Sequence, residues 1–143
     1  MNQSFPKVKI IAVGKVKKGW LKEGIALYEK RLPEVTIVEI KDSGKEAEAD
    51  KLLSTIKGQD RLAVLSEYGK EYNSVAFSKW LATEAFGTLV LFIGGPEGIS
   101  DRLKQYPLIS LSSMTFPHEL ARLMLVEQLY RAKTILQNGR YHK

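Results

Sequence analysis

The chain has 143 residues and no cysteine, with 44% hydrophobic and 27% charged residues, a balance suited to one globular domain over 1–143 and not to a disordered or fibrous chain. Disulfides, zinc ribbons, iron–sulfur clusters and thiol nucleophiles are excluded, and two histidines are too few for most histidine-built sites, so no metal is expected. No apolar run approaches the roughly 20 residues of a membrane helix, and the first residues lack a signal peptide's apolar stretch; the expectation is a cytoplasmic protein without membrane contact.

The net charge of +6 is unevenly spread: residues 1–33 hold eight Lys/Arg against two Glu, 34–116 nine against twelve acidic residues, and 117–143 five against two. The two ends are basic and the middle is acidic. If the fold joins the ends, Lys15, Lys17, Lys18 and Lys22 meet Arg131, Lys133, Arg140 and Lys143 in a positive face suited to phosphate backbones. A solvated lysine surface is the plainer reading of the same charges.

In chain order, the β-branched run Val8–Val13 is expected as a strand ending at Gly14, with a basic loop and then a helix carrying Trp20, Leu21, Ile25, Tyr28 and Leu32. Pro33 stops that helix, and Val35–Ile40 forms a second strand. Residues 44–57 are rich in helix formers and polar on most of their surface, which predicts an outlying helix closed by Gly58. Arg61–Ser66 is a third strand, 67–72 a loop, and Asn73-Ser74 the cap of a helix carrying Phe77, Trp80, Leu81 and Phe86. Leu89–Ile93 is apolar at five consecutive positions, as in a strand covered on both faces. Gly94-Gly95-Pro96-Glu97-Gly98 then turns, residues 100–105 make a short helix, Leu108–Ser112 is the last strand, and a helix runs from Pro117 to about Asn138-Gly139. Strands alternating with helices predict an α/β domain, a parallel-rich sheet with helices on both faces. Ligands of such sheets sit at the carboxyl ends of the strands, so the turns after Leu65, Ile93 and Ser112 are the places for a site.

Three glycines in five residues make 94–98 either a binding loop or a tight turn. Neither a G-x-G-x-x-G fingerprint nor a Walker G-K-[ST] occurs in the chain, so NAD and ATP are poor candidates. Ser112, Ser113 and Thr115 precede a proline-led helix and serve either as caps or as site hydroxyls. The final helix is apolar around most of its circumference, more than so small a domain can cover, which predicts packing against a second copy. Within it Glu127 and Arg131 stand four apart, with Arg122 nearby, as an ion-pair set or a substrate contact. His142 lies in a terminal Arg-Tyr-His-Lys cluster, which is either a frayed end or an RNA-contacting tail.

The segments Leu91–Gly98, Leu111–Arg122, Glu127–Ala132 and Tyr141-His142-Lys143, with Val13-Gly14-Lys15 and Gly69-Lys70, together resemble the bacterial large-subunit ribosomal RNA pseudouridine N3-methyltransferases of the SPOUT class. The resemblance runs nearly end to end. It implies a homodimer with a C-terminal trefoil knot and S-adenosyl-L-methionine as cofactor, held by Leu65, Gly94, Leu111, Ser112, Ser113, Met114, Thr115 and Phe116. It also implies methylation of N3 of a pseudouridine in the helix-69 stem-loop of 23S rRNA on assembled ribosomes. His142 is then the first candidate for proton acceptor, Arg131 and Arg140 stabilise the imide or hold phosphate, Tyr141 stacks, and Glu97 and Glu127 are reserve carboxylates. Lys143 stands where some relatives have Arg, which loosens bidentate phosphate binding there. On the basic ends alone, the alternative is a ribosome-associated RNA-binding factor without catalysis.

Overall fold

The computed structural model describes residues 4–143. Five strands form one sheet in the order β2-β1-β4-β3-β5: β1 Lys7–Val13, β2 Val35–Ile40, β3 Arg61–Glu71, β4 Thr88–Ile93 and β5 Leu108–Ser110. Every ladder is parallel. The helices are α1 Gly19–Glu29, α2 Lys45–Thr55, α3 Ser74–Thr83 and α4 His118–Leu136, with a short 3₁₀ helix at Asp101–Gln105.

Strand alternation sends the apolar residues into two cores. Val8, Ile10 and Ala12 of β1 and Leu89, Leu91 and Ile93 of β4 pack with Ile25 of α1, Phe77 and Leu81 of α3, and Leu125, Val126 and Leu129 of α4. Ile11, Val13, Val90 and Phe92 point the other way, onto Ala49 and Leu52 of α2 and Leu103 of the 3₁₀ helix. Helices therefore cover both faces, and the unbroken apolar run of β4 follows from its central place between β1 and β3.

The boundaries differ from expectation where polar residues join the sheet. β3 does not end at Ser66: Leu65 and Lys70 both register with Ile109, and Glu71 with Ser110, so residues 66–69 leave the ladder and the strand resumes. Gly69 permits the return, because a Cβ there would stand 2.5 Å from the carbonyl carbon of Leu108. β5 stops at Ser110, where the Ser110 hydroxyl donates to the Ser112 carbonyl at 2.7 Å and turns the chain out of the sheet. α3 ends at Thr83, short of Phe86, which is exposed; its start is capped as expected, the Asn73 side chain accepting from the Ala76 amide at 2.8 Å. α2 is less peripheral than its polarity predicts. Glu48 is buried there, accepting from the amides of Ser43 and Gly44, both at 3.0 Å.

Arg122, the buried cation of α4, does not pair with Glu127. Its guanidinium reaches Glu39 at 2.5 Å and the Gly14 carbonyl at 3.0 Å, tying α4 to the ends of β2 and β1. The arginine side chain is 3% exposed and the carboxylate 40%. Glu39→Ala strands a dry guanidinium and is expected to cost about 3 kcal/mol, whereas Arg122→Met leaves a carboxylate that water still reaches and costs about 1–2 kcal/mol. Urea unfolding of the two variants checks that order.

Candidate active site

The turns after β3 and β4 and the segment after β5 converge at the carboxyl edge of the sheet around a cavity of about 950 Å³. Leu65, Gly94, Leu111, Ser112, Met114, Thr115 and Phe116 all line it; Ser113, also expected there, does not. The wall is completed by residues given no role from the sequence, chiefly Glu67 and Tyr68 in the expected turn after Leu65, with Lys104, Leu108 and His118. The excursion 66–69 explains Glu67 and Tyr68, since it swings them over the cavity instead of along the strand.

Short contacts hold the rim. The Thr115 hydroxyl donates to the Glu67 carboxylate, bridging the excursion of β3 to the segment after β5. The Met114 amide donates to the Ser112 hydroxyl at 3.0 Å, and the Gly98 amide to the Gly95 carbonyl at 3.0 Å. Gly95 has no room for a side chain, for a Cβ would lie 2.9 Å from Cγ1 of Val13. Beside the cavity, Glu119 in the first turn of α4 accepts from the Lys17 amide at 2.7 Å and anchors the basic loop. That hydrogen bond is the main reason the Glu119 carboxyl lies below its usual range.

Of the five residues expected to act on the substrate, one, Glu97, lines the cavity. Arg131, Arg140, Tyr141 and His142 do not. Arg131 is ten residues along α4 from Ala121 on the cavity wall, about 15 Å at the helical rise.

Arg131, Tyr141 and His142 form a cluster around Glu127. Its carboxylate accepts from Arg131 Nη2 at 2.7 Å, the Tyr141 hydroxyl at 2.8 Å and the Gln128 amide at 3.0 Å. Tyr141 in turn accepts from the Tyr28 hydroxyl at 2.9 Å and meets the Tyr130 ring edge-on at 4.8 Å. Nη1 of Arg131 lies 3.1 Å from Nδ1 of His142. The bond to Glu127 raises the Arg131 pKa. Burial is the main cause that raises that of Tyr141 well above the ordinary 10.0, and the bond it donates to the Glu127 carboxylate adds to it. The phenol thus stays protonated in the folded protein while an unfolded tyrosine ionises. Its contribution is whole below pH 10 and declines as pH rises from there; tyrosinate absorbance compared with Tyr141→Phe checks this. The tail is therefore docked and not frayed. Tyr28 was invisible as its partner because the two are 113 residues apart.

The chain by itself does not assemble the single positive face. Contacts between α1 and α4 run in the same order along both helices, from Lys17 with Glu119, through Gly24 beside Leu123, to Tyr28 with Tyr130. The lysines before α1 thus lie at the cavity end and the basic tail at the other. Two of the tail-end cations are also paired, Arg131 with Glu127 and Lys133 with Glu34.

An α/β sheet with its cavity at a glycine-rich strand edge defines a small-molecule site, and the family follows from comparison: the model described as "Predicted SPOUT methyltransferase" matches residues 7–142, and the chain belongs to that family. Among curated relatives, "Ribosomal RNA large subunit methyltransferase H" of Synechococcus sp. (strain RCC307) is 50% identical over 139 residues, covering 96% of this chain and 95% of the relative. The protein of the same name from Prochlorococcus marinus (strain MIT 9303) is 51% identical over 138 residues, covering 94% and 91%.

SPOUT methyltransferases use S-adenosylmethionine, and the cavity chemistry fits it. Leu65, Ile93, Leu108, Leu111 and Phe116 supply apolar walls for an adenine. Two carboxylates, Glu67 and Glu97, against one ammonium, Lys104, face the space, a balance that suits a cationic sulfonium ligand and disfavours phosphates. Among the described residues no helix is long and apolar enough to cross a membrane.

Proposed function

We propose that this chain methylates N3 of a pseudouridine in the helix-69 stem-loop of 23S rRNA on assembled ribosomes, as a cytoplasmic homodimer. The observation that carries the reading is the convergence of three strand-end turns on one apolar and acidic cavity, in a chain half identical to proteins named ribosomal RNA large subunit methyltransferases. In this reading 1–143 is one SPOUT domain whose carboxyl-edge turns form the family's trefoil knot. Leu65, Gly94 and the run Leu111, Ser112, Ser113, Met114, Thr115, Phe116 hold the cofactor, and Glu97, Arg131, Arg140, Tyr141 and His142 meet the nucleotide.

The dimer supplies what one protomer lacks. An apolar groove of about 420 Å³ runs between α1 and α4, lined by Gly24, Leu27, Leu123 and Met124 among others, and Trp20 and Leu27 are exposed on α1. A two-fold copy packed there with its α4 reversed carries its tail toward this protomer's cavity, the opposite end of the same helix. Basic loop and basic tail then flank one site, joining charges that a single protomer keeps apart.

The bound cofactor supplies a methyl group already activated on sulfur. The protein's own work is alignment and charge: the apolar walls exclude water, the rim bond from Thr115 to Glu67 fixes the segment after β5, and Arg131 and Arg140 hold the anionic partner. Incubation of the protein and S-adenosylmethionine with ribosomes unmethylated at this position is expected to add one methyl to the helix-69 nucleotide, read by mass. Binding of ribosomes with an unchanged nucleotide mass would favour the non-catalytic factor, and calorimetry without S-adenosylhomocysteine binding would remove the cofactor assignment.

A further inference from the structure

His142 rests on a contact that sets its hydrogen-bonding sense. Its Nδ1 lies 3.1 Å from Arg131 Nη1, and a guanidinium offers donors only. In a neutral imidazole Nδ1 must therefore present the lone pair, which leaves the N–H on Nε2. Arg131 belongs to a cluster that also holds Glu127, which accepts from it, and Tyr141, which bonds the same carboxylate and Tyr28 and meets the Tyr130 ring, itself under Arg31. Glu127, the carboxylate of this cluster, is taken by Arg131, Tyr141 and Gln128. One imidazole nitrogen is thus engaged as an acceptor and the other is an N–H.

We propose that His142 acts on the target base as a hydrogen-bond donor through Nε2–H, directed at an imide carbonyl oxygen, and is not the acceptor of the N3 proton. Arg131 is its positioning residue. The inference rests on the reading that the tail meets the nucleotide, and replaces the proton-acceptor role expected for this histidine. The N3 proton leaves to bulk water before the base reaches the methyl group. The N3 lone pair forms the new N–C bond to the methyl group while the C–S bond breaks and sulfur keeps its electrons. As N3 loses its proton, negative charge spreads onto the flanking carbonyl oxygens, where a fixed N–H donor stabilises it. His142 ends the cycle with the proton it began with.

The chain has two histidines, so a nitrogen NMR spectrum of histidine-labelled protein holds two rings, and H142Q assigns them. The expected result is an Nε2–H tautomer for His142 that becomes a mixture in Arg131→Met; an Nδ1–H tautomer overturns the proposal. In methyl transfer, H142Q keeps an N–H donor and is expected within about tenfold of wild type, while H142A falls about 100-fold in kcat with KM for S-adenosylmethionine unchanged. If H142Q is as inactive as H142A, and both lose an acid limb present in the wild-type pH profile, His142 is the base and the proposal fails. Absence of methyl transfer by the wild-type protein would instead sink the ribosomal RNA reading, with the tautomer still decided by the spectrum.

Discussion

Truncation after residue 139 is expected to lower methyl transfer by at least about 100-fold while leaving S-adenosylhomocysteine affinity within about twofold. The split follows from location. None of residues 140–143 lines the cavity, so the cofactor walls stay whole, yet the deletion removes the Arg, Tyr and His proposed to meet the base. What the fold loses is the docking of Tyr141, its bonds to Glu127 and Tyr28 and its edge contact with Tyr130. Those are partly buried contacts worth about 2–4 kcal/mol together, so the truncated chain is expected to fold and to keep the proposed dimer. Calorimetry, urea unfolding, sedimentation and a methyl-transfer assay on one preparation decide the matter. Retained activity would discard the tail assignment, and lost cofactor binding would show that the tail supports the cavity directly.

Gly69→Ala is expected to be the most damaging single-methyl change in the chain, costing about 3 kcal/mol and cofactor binding with it. The added carbon would stand 2.5 Å from the Leu108 carbonyl carbon, 2.7 Å from the Ile109 nitrogen and 2.7 Å from the Leu108 oxygen. These are backbone atoms of β5 and cannot rotate aside, so the ladder must open where β3 rejoins it. The strands that part there carry Leu65 and Leu108 of the cavity wall, and the excursion bearing Glu67 loses its foothold. At Gly98 the added carbon would meet nothing within 4 Å, but its φ of +84° makes Gly98→Ala a test of backbone strain instead, with a cost of about 1–2 kcal/mol. Thermal melts and calorimetry of both variants separate the two effects.

How much of this was legible in the residues depends on whether the signal is local. Leu89–Ile93 announces a doubly covered strand because burial on both faces removes every polar position, and Asn73 announces a helix start because its side chain replaces a missing carbonyl. The turn at 94–98 and the run 111–116 mark the site through glycines and hydroxyls at strand ends. The segment 67–72 reads as a loop because its polar residues and glycine carry no alternation; pairing with β5, a partner 43 residues ahead of Glu67, draws its end into the sheet. Arg122 pairs with Glu39 and Tyr141 with Tyr28 across 83 and 113 residues, distances over which periodicity holds no information. The family resemblance named the tail residues, but their separation from the cavity along α4 emerges only in three dimensions.

Because all four ladders are parallel, the sheet contains no hairpin from which assembly can start. Each pairing must close a long stretch of chain before its first hydrogen bond forms, and β4, central in the sheet, must find both β1 and β3. Such non-local topology slows refolding, and the cavity wall, drawn from the ends of β3, β4 and β5, is complete only when their ladders have closed. Recovery of ligand binding should therefore trail recovery of helical signal when the denatured chain is returned to native conditions.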